Sequence, residues 1–319
     1  WTTNPSSQKQ ALRPLGRVLS YIFLHLRTTF QSNPQRLLMY RWLGNWILSL
    51  AEPILICAQL NHGLQLSADS ETLYASTNDA VYAWPFIQEP LGLGEGRTLV
   101  TGMRGGGHVT RTILLSEKTS GWIIVSHGSD GNLDDQATNS TSGSAKVKAF
   151  YIANFTDTSP PYDYVNDGIL LGSGLRNSVG LAEEPSTGGI FAVENSADDL
   201  ERDGTDIHET NPGEEMNFLG VLSSTPGNAT AGGDFGYPRC FALYDTNIPN
   251  PGDLKVGNHF ALSSGGTINP ESMVKEGGDD WCETETVKPR LTFPSHTAPL
   301  DIKFNQDGTE AYVAFHGSW

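Results

Sequence analysis

Cysteine is scarce, with three residues in a chain of 319, and no Cys and His spacing matches a zinc site. Positive charge is short too: 20 Lys and Arg face 36 Asp and Glu, for a formal net charge of −16. A polyanion would be repelled at long range, which excludes nucleic acid as a partner. Long apolar runs are rare. WLGNWILSLAEPILIC, from Trp42 to Cys57, is broken by Asn45, Glu52 and Pro53, is short for a membrane span, and lies too far in for a standard cleaved signal peptide. The chain has no GxGxxG fingerprint between a strand and a helix, no Walker loop and no GxSxG elbow. Gly105-Gly106-Gly107-His108 is rich in glycine, but no helix follows it to hold a phosphate.

What the chain does have is turn chemistry, with 35 Gly and 18 Pro. Four segments share one plan of loop polar residue, strand, turn and strand. They are HGLQLSADSETLYASTN from His62, TRTILLSEKTSGWIIVSHGS from Thr110, RNSVGLAEEPSTGGIFAVENS from Arg176 and APLDIKFNQDGTEAYVAFHGS from Ala298. Their spacing fits units of about 40 to 50 residues with long insertions in the later ones. A hairpin cannot bury both faces alone, and radial stacking of such sheets supplies the core, so the expectation is an all-β propeller rather than a sandwich of unrelated hairpins. The last unit stops at Trp319 after its second strand, so an incomplete ring is expected. Residues 11 to 47 carry five Arg and lack the period-2 pattern of the rest. Residues 1–59 are therefore set apart as an atypical, wrongly assigned or signal-anchor region, and 60–319 as the propeller.

Loops before the innermost strands of a propeller gather at one mouth of the central channel. That brings together His62, His108 with Arg111, Arg176 with Asn177, and His296. Imidazole and guanidinium groups there suit an anionic, carboxylate-bearing planar molecule, as a local exception to the acidic whole. A second candidate is the acidic run from Asp198 to Glu215, DDLERDGTDIHETNPGEE, whose hard oxygen ligands suit Ca²⁺ without EF-hand spacing; a solvated acidic loop is the plainer alternative. Cys240 and Cys282 flank a Gly/Pro-rich stretch and are expected to pair, leaving Cys57 as a buried thiol. Sequons at Asn139, Asn154 and Asn228 fall in polar, turn-rich stretches and lean towards secretion.

The stretches GGGHVTRTILLS, VSHGSDGN, GLRNSVG, ENSADDL, DIHETNPGEEMN, SHTAPLDIKF and AFHGSW together resemble the fungal pyrroloquinoline-quinone-dependent pyranose dehydrogenases, relatives of the sorbosone dehydrogenases and soluble quinoprotein glucose dehydrogenases. The resemblance covers residues 60 to 319. It implies a six-bladed propeller binding pyrroloquinoline quinone (PQQ) and Ca²⁺ at its mouth, with the first blade unrecognisable and the last one missing. His108 looks like the general base. Arg111, Arg176, Asn177, His296 and Trp319 look like cofactor neighbours, and the turn at Asn211 and Pro212 resembles the one whose backbone oxygens hold Ca²⁺. The expected activity is oxidation of a pyranose or related sugar, with electrons passing to an external acceptor such as a cytochrome, in a secreted protein. The rivals are a Ca²⁺-dependent propeller hydrolase or lactonase, and a cofactor-free binding module.

Overall fold

The computed structural model describes residues 9–11, 22–27, 35–43, 47–57, 60–105, 107–223, 232–268 and 275–317. Nearly all of its regular structure is strand. β1 (Lys9–Ala11), β2 (Ile22–Arg27), β3 (Gln35–Leu43) and β4 (Ile47–Cys57) form an antiparallel meander. The apolar run from Trp42 thus contributes to β3 and β4 as strand. Two register shifts in the β3–β4 pairing, around Leu37, Leu38 and Tyr40, explain why the sequence lacks a period-2 signal, because each slip exchanges the faces of the strand. Pro53 is tolerated because β4 is an edge strand, where a missing N–H costs no outer ladder bond. No helix among the described residues is long and apolar enough to cross a membrane.

β5 (Leu64–Leu66), β6 (Thr72–Ser76), β7 (Val81–Gln88) and β9 (Arg97–Thr101) make the next meander, with β8 (Leu91–Leu93) folded back on β7. β10 (Ile113–Leu115), β11 (Trp122–His127), β12 (Lys146–Tyr151) and β14 (Ile169–Ser173) follow, and β13 (Tyr162–Asp163) crosses back to pair with β9. β15 (Ser178–Glu183) and β16 (Gly189–Glu194) start another sheet, interrupted by the small hairpin of β17 (Glu201–Arg202) and β18 (Thr205–Asp206) before β19 (Glu214–Val221). An insertion holds β20 (Cys240–Ala242), β21 (His259–Ala261), β22 (Thr267–Ile268), β23 (Lys275–Glu276) and the helix α1 (Asp279–Glu285). β24 (Leu291–Phe293) then closes that sheet, and β25 (Pro299–Phe304) pairs with β26 (Ala311–Phe315).

Each of the four repeated segments is an antiparallel hairpin, as the pattern predicts: β5–β6, β10–β11, β15–β16 and β25–β26. Their first strands lie side by side in chain order. At Gly180, a Cβ would come within 2.8 Å of the Asp301 backbone, so β15 and β25 approach so closely that only glycine fits there. Cores lie between successive sheets. In β11, Trp122 and Ile124 face one cluster with Leu181 and Ile190, while Ile123 and Val125 face another with Val81 and Leu99. That two-sided burial is why WIIVSH reads as an unbroken apolar run. The result is the stacked-sheet plan of a propeller.

The insertion is fastened twice. Cys240 and Cys282 are disulfide-bonded, with Cα atoms 5.6 Å apart, as the sequence leads one to expect. Arg202, fully buried, makes a bidentate pair with Asp279 at 2.7 and 2.6 Å and donates to the Pro249, Asn250 and Ala261 carbonyls.

Candidate functional site

His108 sits on the loop before β10. Its backbone N–H donates to the Ser129 carbonyl at 2.9 Å, and its Nδ1 lies 3.0 Å from that same oxygen and 2.9 Å from Ser129 Oγ. A carbonyl oxygen can only accept, so the ring hydrogen belongs on Nδ1 and the lone pair on Nε2. Burial first, and then the Arg176 charge, hold the imidazole below its ordinary pKa of 6.5, so it is a neutral base at neutral pH.

Gly128 is where the loops meet. A Cβ there would lie 2.6 Å from His108 Cβ, 2.9 Å from Asn177 Oδ1 and 3.3 Å from the Arg176 carbonyl oxygen. His108, Arg176 and Asn177 are therefore packed around one point, although 68 residues separate the first two in sequence. The Arg176 carbonyl also accepts the Ser129 N–H at 2.7 Å, which ties the base to the Arg-Asn loop.

Arg176 is buried and its guanidinium is well used. Nε donates to the Asn132 carbonyl at 3.1 Å, Nη1 to the Asn195 carbonyl at 3.2 Å and to the Ser196 carbonyl, and Nη2 to Asn132 Oδ1 at 2.9 Å. Nη2 also pairs at 3.3 Å with Asp198, whose side chain is 51% exposed. His296 reaches the same carboxylate, with Nδ1 at 3.5 Å from Asp198 Oδ1, while its Nε2 lies 2.6 Å from the His208 carbonyl. Asp198 thus joins two of the expected site residues.

Arg111 is fully buried below the His108 loop. It donates to the His108 carbonyl at 2.6 Å, to Thr110 at 3.0 Å and to Asn78 at 3.0 Å, and its Nη2 has no protein partner. His62 stands nearer the last hairpin, with Asp301 and the Val179 backbone in its surroundings. Asn211 is buried and its side chain is occupied: Oδ1 accepts the Tyr244 and Asp245 N–H groups at 2.9 and 3.2 Å, and Nδ2 donates to the Asp245 carbonyl at 2.9 Å. A cation at Asn211 and Pro212 would therefore be held by their backbone oxygens. Trp319 lies outside the described residues.

The acidic run from Asp198 is not a single cluster. Among the described residues, no group of three or more His, Cys, Asp or Glu side chains has a metal-holding arrangement. Its last two members, Glu214 and Glu215, are buried in β19 beside Glu194. Glu214 accepts the Ser196 N–H at 2.6 Å and the Ala298 N–H at 3.2 Å. Burial pushes all three carboxyls up, Glu215 to about 7. Asp198, Glu214 and Glu215, expected as part of an acidic Ca²⁺-binding run, instead support the site as separate side chains, while Glu194 and Asn132 were not singled out from the sequence because their partners come from distant segments.

The chain matches the TrAA12-like family over residues 38–319. It belongs to that family. It is 48% identical over 262 residues to a pyrroloquinoline quinone-dependent sugar dehydrogenase of Hypocrea jecorina, across 81% of this chain and 58% of that protein. With a pyrroloquinoline quinone-dependent pyranose dehydrogenase of Coprinopsis cinerea it shares 33% identity over 281 residues, 86% of this chain and 36% of that protein. A calcium structure of the Trichoderma reesei family AA12 enzyme superposes with a TM-score of 0.84 at 41% identity, covering 99% of this chain and 75% of that one. The TrAA12-like chain thus spans less than two thirds of the length of both curated relatives.

Proposed function

We propose that this TrAA12-like chain carries the propeller of a PQQ-dependent sugar dehydrogenase that takes Ca²⁺ as a second cofactor. The observation that carries the reading is the packing of a neutral imidazole, His108, against Arg176 and Asn177 around Gly128 in a chain of this family. The residues fit an anionic quinone. Arg111 keeps a buried donor without a partner, and Arg176 shares Nη2 with a half-exposed carboxylate that a ligand carboxylate can replace. Backbone oxygens of Asn211 and Pro212 would hold Ca²⁺, and His296 would stand beside the cofactor.

Bound PQQ would supply the two-electron acceptor for a hydride from the sugar. His108 removes the proton of the C1 hydroxyl at Nε2, while Ser129 holds Nδ1 so that the lone pair points to the substrate side. Burial, and after it the Arg176 charge, keeps the imidazole from being protonated beforehand by lowering its pKa. The carbon is oxidised to the carbonyl level, and the proton passes from imidazole to solvent. Electrons would leave to an external acceptor, either a protein or an attached cytochrome. Six blades, secretion, and glycans on the exposed Asn139 and Asn154 belong to the same reading, as does a division into residues 1–59 and a propeller over 60–319; Asn228 lies outside the described residues.

The test is dye reduction by the purified chain supplied with PQQ and Ca²⁺ and offered a panel of pyranoses. Turnover with at least one sugar is expected; no turnover with any of them would overturn the reading. Arg176→Ala is expected to weaken PQQ binding about 10- to 100-fold, from loss of a charge-assisted contact of about 1.5–3 kcal/mol. Fluorescence titration with PQQ measures it, and an unchanged dissociation constant would place Arg176 in a purely structural role.

A further inference from the structure

We propose that Glu194 is a positioning residue for His108, acting through the Arg176 backbone and Ser129. The proposal rests on the reading of His108 as the base, but it is measured on the imidazole itself.

The contacts form a continuous series. Glu194, the last residue of β16, accepts the Arg176 backbone N–H on Oε1. The Arg176 carbonyl accepts the Ser129 N–H at 2.7 Å, and Ser129 holds His108 by both the backbone N–H and Nδ1. There is no slack to absorb a displacement, because His108, Asn177 and Arg176 crowd Gly128 so closely that a Cβ cannot be added. A shift at residue 176 therefore moves the ring.

Glu194 is itself fixed from behind. It is 3% exposed, its Oε2 receives Asn217 Nδ2 at 3.2 Å, and the same Nδ2 donates to Glu215 Oε2 at 2.9 Å. Glu194 and Glu215 are cross-strand partners in the β16–β19 register. Two buried carboxyls facing each other are a poor choice for stability alone, since like charges opposite one another destabilise a sheet and burial adds a desolvation cost. What Glu194 provides in return is an acceptor for the Arg176 backbone N–H at the start of the Arg-Asn loop.

The Asn217 amide allows a conservative rescue. Its Oδ1 is buried and unpartnered, so the amide can turn over and accept from an amide nitrogen at position 194. Glu194→Gln then keeps the acceptor for the Arg176 N–H. Glu194→Met fills a similar volume with no acceptor. In the cofactor-free full chain with ¹⁵N-labelled histidine, NMR reports the His108 tautomer, and diethyl pyrocarbonate reports its reactivity. Glu194→Met is expected to erode the Nδ1–H preference and raise the rate of His108 modification about two- to tenfold, the equilibrium value of one hydrogen bond. Glu194→Gln should stay within about twofold of the parent, the low end of that same range. His296 and His208 should not respond in either variant.

A folded Glu194→Met chain with unaltered His108 spectrum and reactivity would overturn the proposal, as would a Gln variant as disturbed as the Met variant. If the Met variant does not fold, Glu194→Asp, which withdraws the acceptor by one methylene, carries the same expectation and the same refutation. Since no sugar or cofactor enters the measurement, an error in the role of His108 would show only in activity and leave this result standing.

Discussion

His108→Gln is expected to leave PQQ bound and to slow its reduction by sugar about 10²- to 10⁴-fold, roughly 3–5 kcal/mol of barrier. Glutamine keeps a hydrogen-bonding side chain of similar reach that Ser129 can hold, but it cannot take up a proton near neutral pH. Stopped-flow reduction of the loaded protein by excess sugar reads the step without the external acceptor. The unsubstituted chain is expected to have its own signature: a base works in its unprotonated form, so the rate falls as the pH drops through the imidazole pKa. Because burial and the Arg176 charge lower that pKa, the acid limb should have its midpoint below 6.5. His62→Gln and His296→Gln should not reproduce the loss. A parent-like rate in His108→Gln, or an equal loss in His62→Gln, would assign the base to another loop.

The second large effect concerns the insertion. Replacing Cys240 and Cys282 by serine opens a bridge between residues 42 apart in sequence, worth about 4 kcal/mol on the loop-entropy estimate. The loss should be felt near the site and not only in global stability. α1 carries Asp279, the partner of Arg202, and β20 leads into the segment at Tyr244 and Asp245 that the Asn211 side chain grips. Urea unfolding should shift by about that free energy, and Ca²⁺-dependent PQQ binding should weaken in parallel. An unchanged unfolding midpoint would mean that Arg202 alone holds the insertion in place.

The hairpins were legible because each joins two strands of alternating or continuous apolar residues through a turn of Gly, Asp, Ser or Pro, a signal contained within about 20 residues. The placement of His108 and the Arg176–Asn177 pair was legible for the same reason, since both precede a first strand. The use of the Arg176 donors was not. Sequence reading has them facing a ligand, whereas in the structure they bind carbonyls of Asn132, Asn195 and Ser196, choices made by segments folding together from afar. Glu214 and Glu215 read as part of an acidic run for Ca²⁺ or solvent and Glu194 as an ordinary strand residue, and only the stacking of sheets buries the three together. The meander from β1 to β4 was hidden by its register shifts and by Pro53 on an edge strand.

The most direct measurement is an anaerobic absorbance record of the purified chain, loaded with PQQ in the presence of Ca²⁺, before and after one addition of sugar. The account predicts that the quinone spectrum converts to the reduced form with sugar, and that removing Ca²⁺ beforehand abolishes the change. A chain that binds PQQ yet shows no sugar-dependent conversion, or that does not bind it at all, would contradict the assignment of this TrAA12-like propeller as a sugar dehydrogenase.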